Sequence, residues 1–224
     1  MIVRIERLLS SEQLSDIRRR IDGTAWADGR LTAGHQSAPV KFNLQLPQSE
    51  PGAREAGDIV LRALEASPAF ISAALPRHVY PPLFNRYQGG MAFGAHVDNA
   101  VRQIPGTHHR LRTDVSATLF LSDPADYDGG ELAVQDTFGA HSVKLAAGDL
   151  VLYPASSVHR VQPVTRGVRT AAFFWIQSMV RDDDARRLLL ELDTAIRDLG
   201  AADQDPLLRL TGCYHNLLRR WAEL

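Results

Sequence analysis

Cysteine is almost missing from this chain: Cys213 stands alone among 224 residues. An internal disulfide is therefore excluded, and burial alone must hold the fold, as in proteins of a reducing compartment. A cytoplasmic location is the expectation. An excess of charge of either sign is also missing, with 25 Lys and Arg against 26 Asp and Glu. No electrostatic footprint for nucleic acid follows, and no nucleic-acid partner is expected. No apolar run approaches the roughly 20 residues that span a bilayer. The opening M-I-V-R-I-E-R is broken by charge, so neither a membrane partner nor a secretory signal is expected. Internal repeats and low-complexity tracts are absent too.

What is present is an ordinary globular composition, 45% hydrophobic and 23% charged, long enough to bury a full core. Hydrophobic periodicity divides it into three parts. Residues 1–77 read as an N-terminal support region. Ser10 and Gln13 fit a capping box ahead of Leu14, Ile17 and Ile21 on one helical face, and Gly23 ends that run. Residues 24–39 read as loop, Val40 to Leu46 as a short strand, and about 52–66 as a second helix stopped by Pro68.

Residues 78–178 change character. Short β-branched and aromatic segments alternate with turns such as D-Y-D-G-G and A-A-G-D. Val115, Ala117, Leu119 and Leu121 alternate, which predicts a half-buried strand. The segment V-R-T-A-A-F-F-W-I-Q-S-M-V predicts a long, mostly buried one, with Trp175 and the neighbouring phenylalanines in the core. Residues 179–224 return to helix. Asp182, Asp183 and Asp184 suit a positive helix N-terminus, Gly200 suits its end, and a last helix starts near Asp205-Pro206. Cys213 in that helix reads as a small buried apolar residue. The fold class expected is α+β, mainly β: a double-stranded β-helix (jelly roll) with N-terminal supporting helices and a C-terminal helical extension. The extension would cover the barrel or form a homo-oligomer interface.

Chemistry concentrates in four residues. In a strand, His96 and Asp98 point to one side and can reach one ion. His159 returns after several strands, and Arg169 heads the long buried strand. An H-x-D pair alone is common by chance. Two imidazoles and one carboxylate on one face suit a non-haem Fe(II) centre with open positions for O₂. A cation on a buried strand needs an anionic partner, either an internal carboxylate or a bound acid. The loop R-Q-I-P-G-T-H-H-R-L-R carries His108, His109, Arg102, Arg110 and Arg112, either as a solvated basic loop or as a lid attracting an anionic substrate. Asn99 reads as a turn residue, as a substrate contact or as a group orienting Asp98. His35, His78, His141 and His215 lack partners at ligand spacing and read as structural or exposed. Gly129 and Gly130 read as a turn needing positive φ.

Taken together, N-R-Y-Q-G-G, H-V-D-N, Y-D-G-G-E-L, G-D-L-V-L-Y-P-A-S-S-V-H-R-V and V-R-T-A-A-F-F-W-I-Q-S resemble the iron(II)/2-oxoglutarate dioxygenases. The resemblance lies with the prolyl-4-hydroxylase-like branch, and within it with the bacterial PKHD-type hydroxylases associated with iron uptake. It implies His96, Asp98 and His159 as catalytic iron ligands and Arg169 on the distal carboxylate of 2-oxoglutarate. Tyr87 would line the co-substrate pocket. Cofactors implied are Fe(II) and 2-oxoglutarate, with L-ascorbate (vitamin C) as a candidate reductant. O₂ and a small-molecule or peptide substrate are the implied partners, and succinate and CO₂ are released as the substrate is hydroxylated. Asp98 favours hydroxylation over chlorination, because related halogenases leave that ligand position open. Many superfamily members carry Arg-x-Ser where this chain has Arg169-Thr170-Ala171, which leaves a second carboxylate contact to be found, with Tyr87 a candidate. Two rival readings stay open: a non-redox metal enzyme on a cupin-like barrel, and a non-catalytic sensor of iron or 2-oxoglutarate.

Overall fold

The computed structural model describes residues 1–32, 34, 37–136, 139–200 and 204–224; His35 lies outside them. The N-terminal region holds β1 (Val3–Ile5), α1 (Ser11–Asp22), β2 (Ala27–Asp28), β3 (Lys41–Phe42), β4 (Leu44–Gln45), α2 (Pro51–Glu65) and α3 (Pro68–Ala74). Next come β5 (Pro76–Val79), β6 (Leu83–Gln88), β7 (Ala92–His96), β8 (Val101–Gln103), β9 (Arg110–Arg112) and β10 (Val115–Phe120). The strands finish with β11 (Tyr127–Gly129), β12 (Leu132–Asp136), β13 (Gly139–Val143), β14 (Leu150–Pro154), β15 (His159–Val161) and β16 (Val164–Ser178). Helices α4 (Asp183–Leu199) and α5 (Gln204–Trp221) end the chain.

The capping box forms as the sequence predicts. Gln13 N–H donates to Ser10 Oγ at 3.1 Å, and Ser10 N–H donates to Gln13 Oε1 at 2.9 Å. The α1 stripe then buries Ile17 and Ile21. Pro68 does not simply stop a helix. It opens α3, because proline is tolerated at the first helical position, and Ser67 caps it by accepting from Phe70 N–H. The expected strand over Val40 to Leu46 is broken into two short pieces, β3 and β4, which join different sheets. The stretch read as loop over 24–39 also holds β2 and two short 3₁₀ turns. Asp182 caps α4 by accepting from Ala185 N–H at 2.8 Å.

Two antiparallel sheets face each other as a jelly roll. The larger runs β1-β14-β10-β16-β6-β4-β2, with β5 and β11 also on β16; the smaller runs β13-β12-β15-β7-β3. Strands β8 and β9 form a separate hairpin. Helices α1, α2 and α3 cover the outer face of the large sheet, where Ile17, Val60, Phe70, Phe84, Leu119 and Phe174 share one core. Strand β10 was expected to be half-buried, yet all six of its residues are buried. Its apolar side enters that core, while Ser116 and Thr118 face the space between the sheets. Phe84 is fully buried beneath the helices. Phe84→Ala is expected to lower the unfolding free energy in urea by about 3–5 kcal/mol; a loss below about 1 kcal/mol would show that the helical layer does not rest on this face.

Candidate metal and co-substrate site

The smaller sheet brings the two histidines together. His159 on β15 lies directly opposite His96 at the end of β7. Each ring's Nδ1–H donates to a carbonyl two residues earlier, His96 to Gly94 at 2.8 Å and His159 to Ser157 at 3.0 Å. Those bonds choose the tautomer and leave both Nε2 atoms as ligand donors. Asp98 completes the group. Its Oδ2 is 3.6 Å from His159 Nε2, and one donor atom from each of the three lies within 4.8 Å of the others.

The strand alternation expected to bring Asp98 beside His96 is not what places it. β7 ends at His96, and Asp98 follows in the loop. Its aim is set from the other sheet, where Ser116 Oγ–H donates to Asp98 Oδ2 at 2.6 Å. Asn99, an alternative orienting group, instead uses its backbone carbonyl to accept from Thr113. Phe93 stacks on His96 at 3.6 Å between ring centres, and Tyr153 meets His159 edge-on at 5.0 Å. Burial, then the neighbouring His159, holds His96 well below the usual imidazole range. An unprotonated nitrogen is therefore presented, as a metal requires.

Arg169 lies deeper in the same cavity, 1% exposed. An internal ion pair was one reading of it. None forms among the described residues, and its Nε and Nη1 are buried without hydrogen-bond partners. A desolvated guanidinium in that state costs several kcal/mol unless an anion joins it. Tyr87 stands opposite Arg169 in register on β6, with the guanidinium carbon 5.3 Å from its ring centre and the same distance from that of Phe120. Burial pushes the Tyr87 phenol up to about 12, against the pull of Arg169. It remains a neutral donor. Tyr127 Oη is buried nearby and likewise without a partner.

Gly130 makes the approach possible. A Cβ there would stand 2.8 Å from Val164 Cγ2, 2.9 Å from Arg169 Cδ and 3.0 Å from Tyr127 Cε2, and the residue holds φ at +68°. The positive φ expected of this turn is present, and close contact to Arg169 is a second demand on the same glycine.

The remaining singled-out residues fall elsewhere. His108 and His109 are exposed, and His141 pairs with Asp136 at 2.7 Å. Cys213 is exposed rather than buried, because it lies off the apolar stripe of α5. Trp175 and Phe173 are not purely core: both line the cavity. Sequence reading missed Ser116, Lys41, Asn43 and Asn85. Ser116 and Thr118 left a signal, as the polar alternate positions of a strand whose other side is apolar. Lys41 left none. It is 5% exposed, donates to Gln45 Oε1 at 2.9 Å, and is lowered to about 8, by burial first and then by the charge of Arg102.

A His-Asp-His face beside a buried, receptive arginine inside a jelly roll defines an oxygenase of the 2OG-Fe(II) superfamily. Residues 82–177 match the family model described as 2OG-Fe(II) oxygenase superfamily. Residues 183–223 match the PKHD-type hydroxylase C-terminal domain. A PKHD-type hydroxylase of Paraburkholderia xenovorans is 58% identical over 227 residues, covering 100% of both chains. The chain belongs to the PKHD-type hydroxylases. Solved structures share the fold at low identity. A Pseudomonas putida prolyl-4-hydroxylase aligns at TM-score 0.52 and 20% identity, over 79% of this chain and 92% of its own. A Trichoplax adhaerens prolyl hydroxylase in complex with a peptide fragment aligns at TM-score 0.59 and 15% identity, over 84% and 86%.

Ser116→Ala should weaken Fe(II) affinity about 10–100-fold in chelator competition, the usual consequence of losing a group that orients a ligand. The thermal midpoint should hardly move; unchanged affinity would mean that Asp98 is aimed by its loop alone.

Proposed function

We propose that His96, Asp98 and His159 hold Fe(II) and that Arg169 receives the distal carboxylate of 2-oxoglutarate. The observation that carries this reading is the buried guanidinium, with two nitrogens lacking partners, in the cavity that also holds the three donors. A non-redox zinc centre on the same ligands would have no use for it. Fe(II) held there supplies activation of O₂, coupled to conversion of 2-oxoglutarate into succinate and CO₂ and to hydroxylation of the primary substrate.

Each protein group then has a defined task. His96 and His159 present Nε2 because their Nδ1 atoms are engaged. Asp98 supplies the hard oxygen, and Ser116 fixes its direction. Arg169 offers a planar fork that matches a carboxylate with two parallel bonds. Tyr87, held neutral by burial, stands across from it as the second donor in place of the serine of Arg-x-Ser. Tyr153 and Phe93 close the sides of the histidines and keep water from them. The catalytic unit is assigned to residues 78–178, with 179–224 as its helical extension.

Two measurements test this. Anaerobic addition of Fe(II) and 2-oxoglutarate to the native protein should produce a weak visible charge-transfer band, and Asp98→Ala should abolish it. A native protein without the band, or a band surviving Asp98→Ala, rejects the assignment. Arg169→Gln should weaken 2-oxoglutarate binding by about 2–5 kcal/mol, some 30-fold or more. Arg169→Lys should restore only part, since an ammonium cannot form the two parallel bonds. Succinate release under O₂ then separates turnover from mere sensing.

A further inference from the structure

Among the described residues, three cations line the cavity, Lys41, Arg102 and Arg169, against one carboxylate, Asp98. Under the function proposed above, on which this inference rests, Fe(II) and doubly ionised 2-oxoglutarate cancel each other's charge. Among the described lining residues, the loaded cavity then keeps more cations than carboxylates. Arg169 is matched to 2-oxoglutarate. Arg102, whose Nε is buried without a hydrogen-bond partner, has no counterpart in that chemistry.

Strand β16 sets the spacing. Arg169, Ala171, Phe173 and Trp175 alternate onto one side of it. Six residues at about 3.3 Å each separate Arg169 from Trp175 by roughly 20 Å. Arg102 sits at the Trp175 end, its guanidinium carbon 3.9 Å from that ring centre and 5.3 Å from the Tyr80 ring. Its Nε is buried and without a hydrogen-bond partner. Lys41 lies between the two ends, with Nζ 5.5 Å from the Phe93 ring and 5.9 Å from the Phe173 ring. A five-carbon diacid held by Arg169 is far shorter than this span, so it leaves the Arg102 end to another molecule.

The other hairpin arginines do not compete for this role. Arg112 is bound by Asp114 at 2.6 Å and Glu223 at 3.1 Å. Arg110 is exposed. Of the three loop arginines, Arg102 is the one turned into the cavity, where aromatic faces orient it and leave its edge for an acceptor.

We propose that Arg102 and Lys41 form an anion subsite for the primary substrate, a small organic acid. They receive its carboxylate, and its flat or apolar body lies along Trp175 and Phe173. An anion between two cations that face one space also relieves their mutual repulsion.

The test uses protein loaded anaerobically with Fe(II) and saturating 2-oxoglutarate. It is titrated calorimetrically with benzoate, phenylacetate and N-acetylphenylalanine, each against its neutral amide. At least one acid should bind tenfold or more tightly than its amide, about 1.4 kcal/mol. Arg102→Gln should erase that preference and Arg102→Lys should retain part of it, both keeping the Fe(II)/2-oxoglutarate absorption band. The subsite is overturned by equal binding of acid and amide in every pair, by an undiminished preference in Arg102→Gln, or by a preference that shrinks as 2-oxoglutarate rises. Those results leave the band in place and so reject the subsite alone. A native protein without the band rejects the proposed function and the subsite with it.

Discussion

Strand β16 is hydrogen-bonded along both edges, to β10 and β6, with β5 and β11 at its ends. Everything else depends on its two-residue alternation. Ala172, Phe174 and Ile176 enter the core beneath the helices. Arg169, Phe173 and Trp175 line the cavity. A slip of one residue would exchange these sets, placing a guanidinium in hydrocarbon and turning the core phenylalanine toward the cavity. Both neighbouring strands oppose such a slip, because each has an apolar side and a polar side of its own. Phe84 lies under the helices while Asn85 and Tyr87 face the cavity; Leu119 is core while Ser116 faces Asp98.

The second constraint is electrostatic. A fold that buries Arg169 beside rings, with no carboxylate paired to it among the described residues, keeps a cost of several kcal/mol in its ligand-free state. The helical layer and the nine-stranded sheet hold that cation in place. Gly130 shows how tight the arrangement is, since one added carbon would collide with the arginine stem. The smaller sheet carries less of this burden. Its histidines are directed by carbonyls two residues away, so their geometry is local to β7 and β15.

The reach of sequence reading follows from this division. His96, His159 and Arg169 were legible because imidazole and guanidinium are out of place in apolar, β-rich segments. The capping box at Ser10 and the Asp182 cap were legible because helix ends are solved within four residues. Ser116 was not, because its meaning depends on which sheet faces the loop after β7. Lys41 was hidden in a segment too short and irregular to show any period, and only the pairing of β3 with β7 brings it to the cavity. The extra helix α3 was lost to a rule of thumb: proline ends one helix and begins another with equal ease. Cys213 failed for the opposite reason, since a residue type usually buried sits on the exposed side of α5.

Arg112 links the C-terminal region to the hairpin that carries Arg102. Arg112 on β9 holds Asp114, which is 5% exposed, and also reaches Glu223 beyond the end of α5. Asp114 in turn accepts from Ser178 N–H at the end of β16, and Glu223 N–H donates to Met179. The Glu223 pair is partly solvated and contributes little by itself. The buried Asp114 pair is worth more, because removing one partner would strand the other away from water. Through it the hairpin that carries Arg102 is fastened to the strand that carries Arg169 and Trp175. The helical extension therefore bears on the cavity by bracing, through Glu223, the hairpin that carries Arg102.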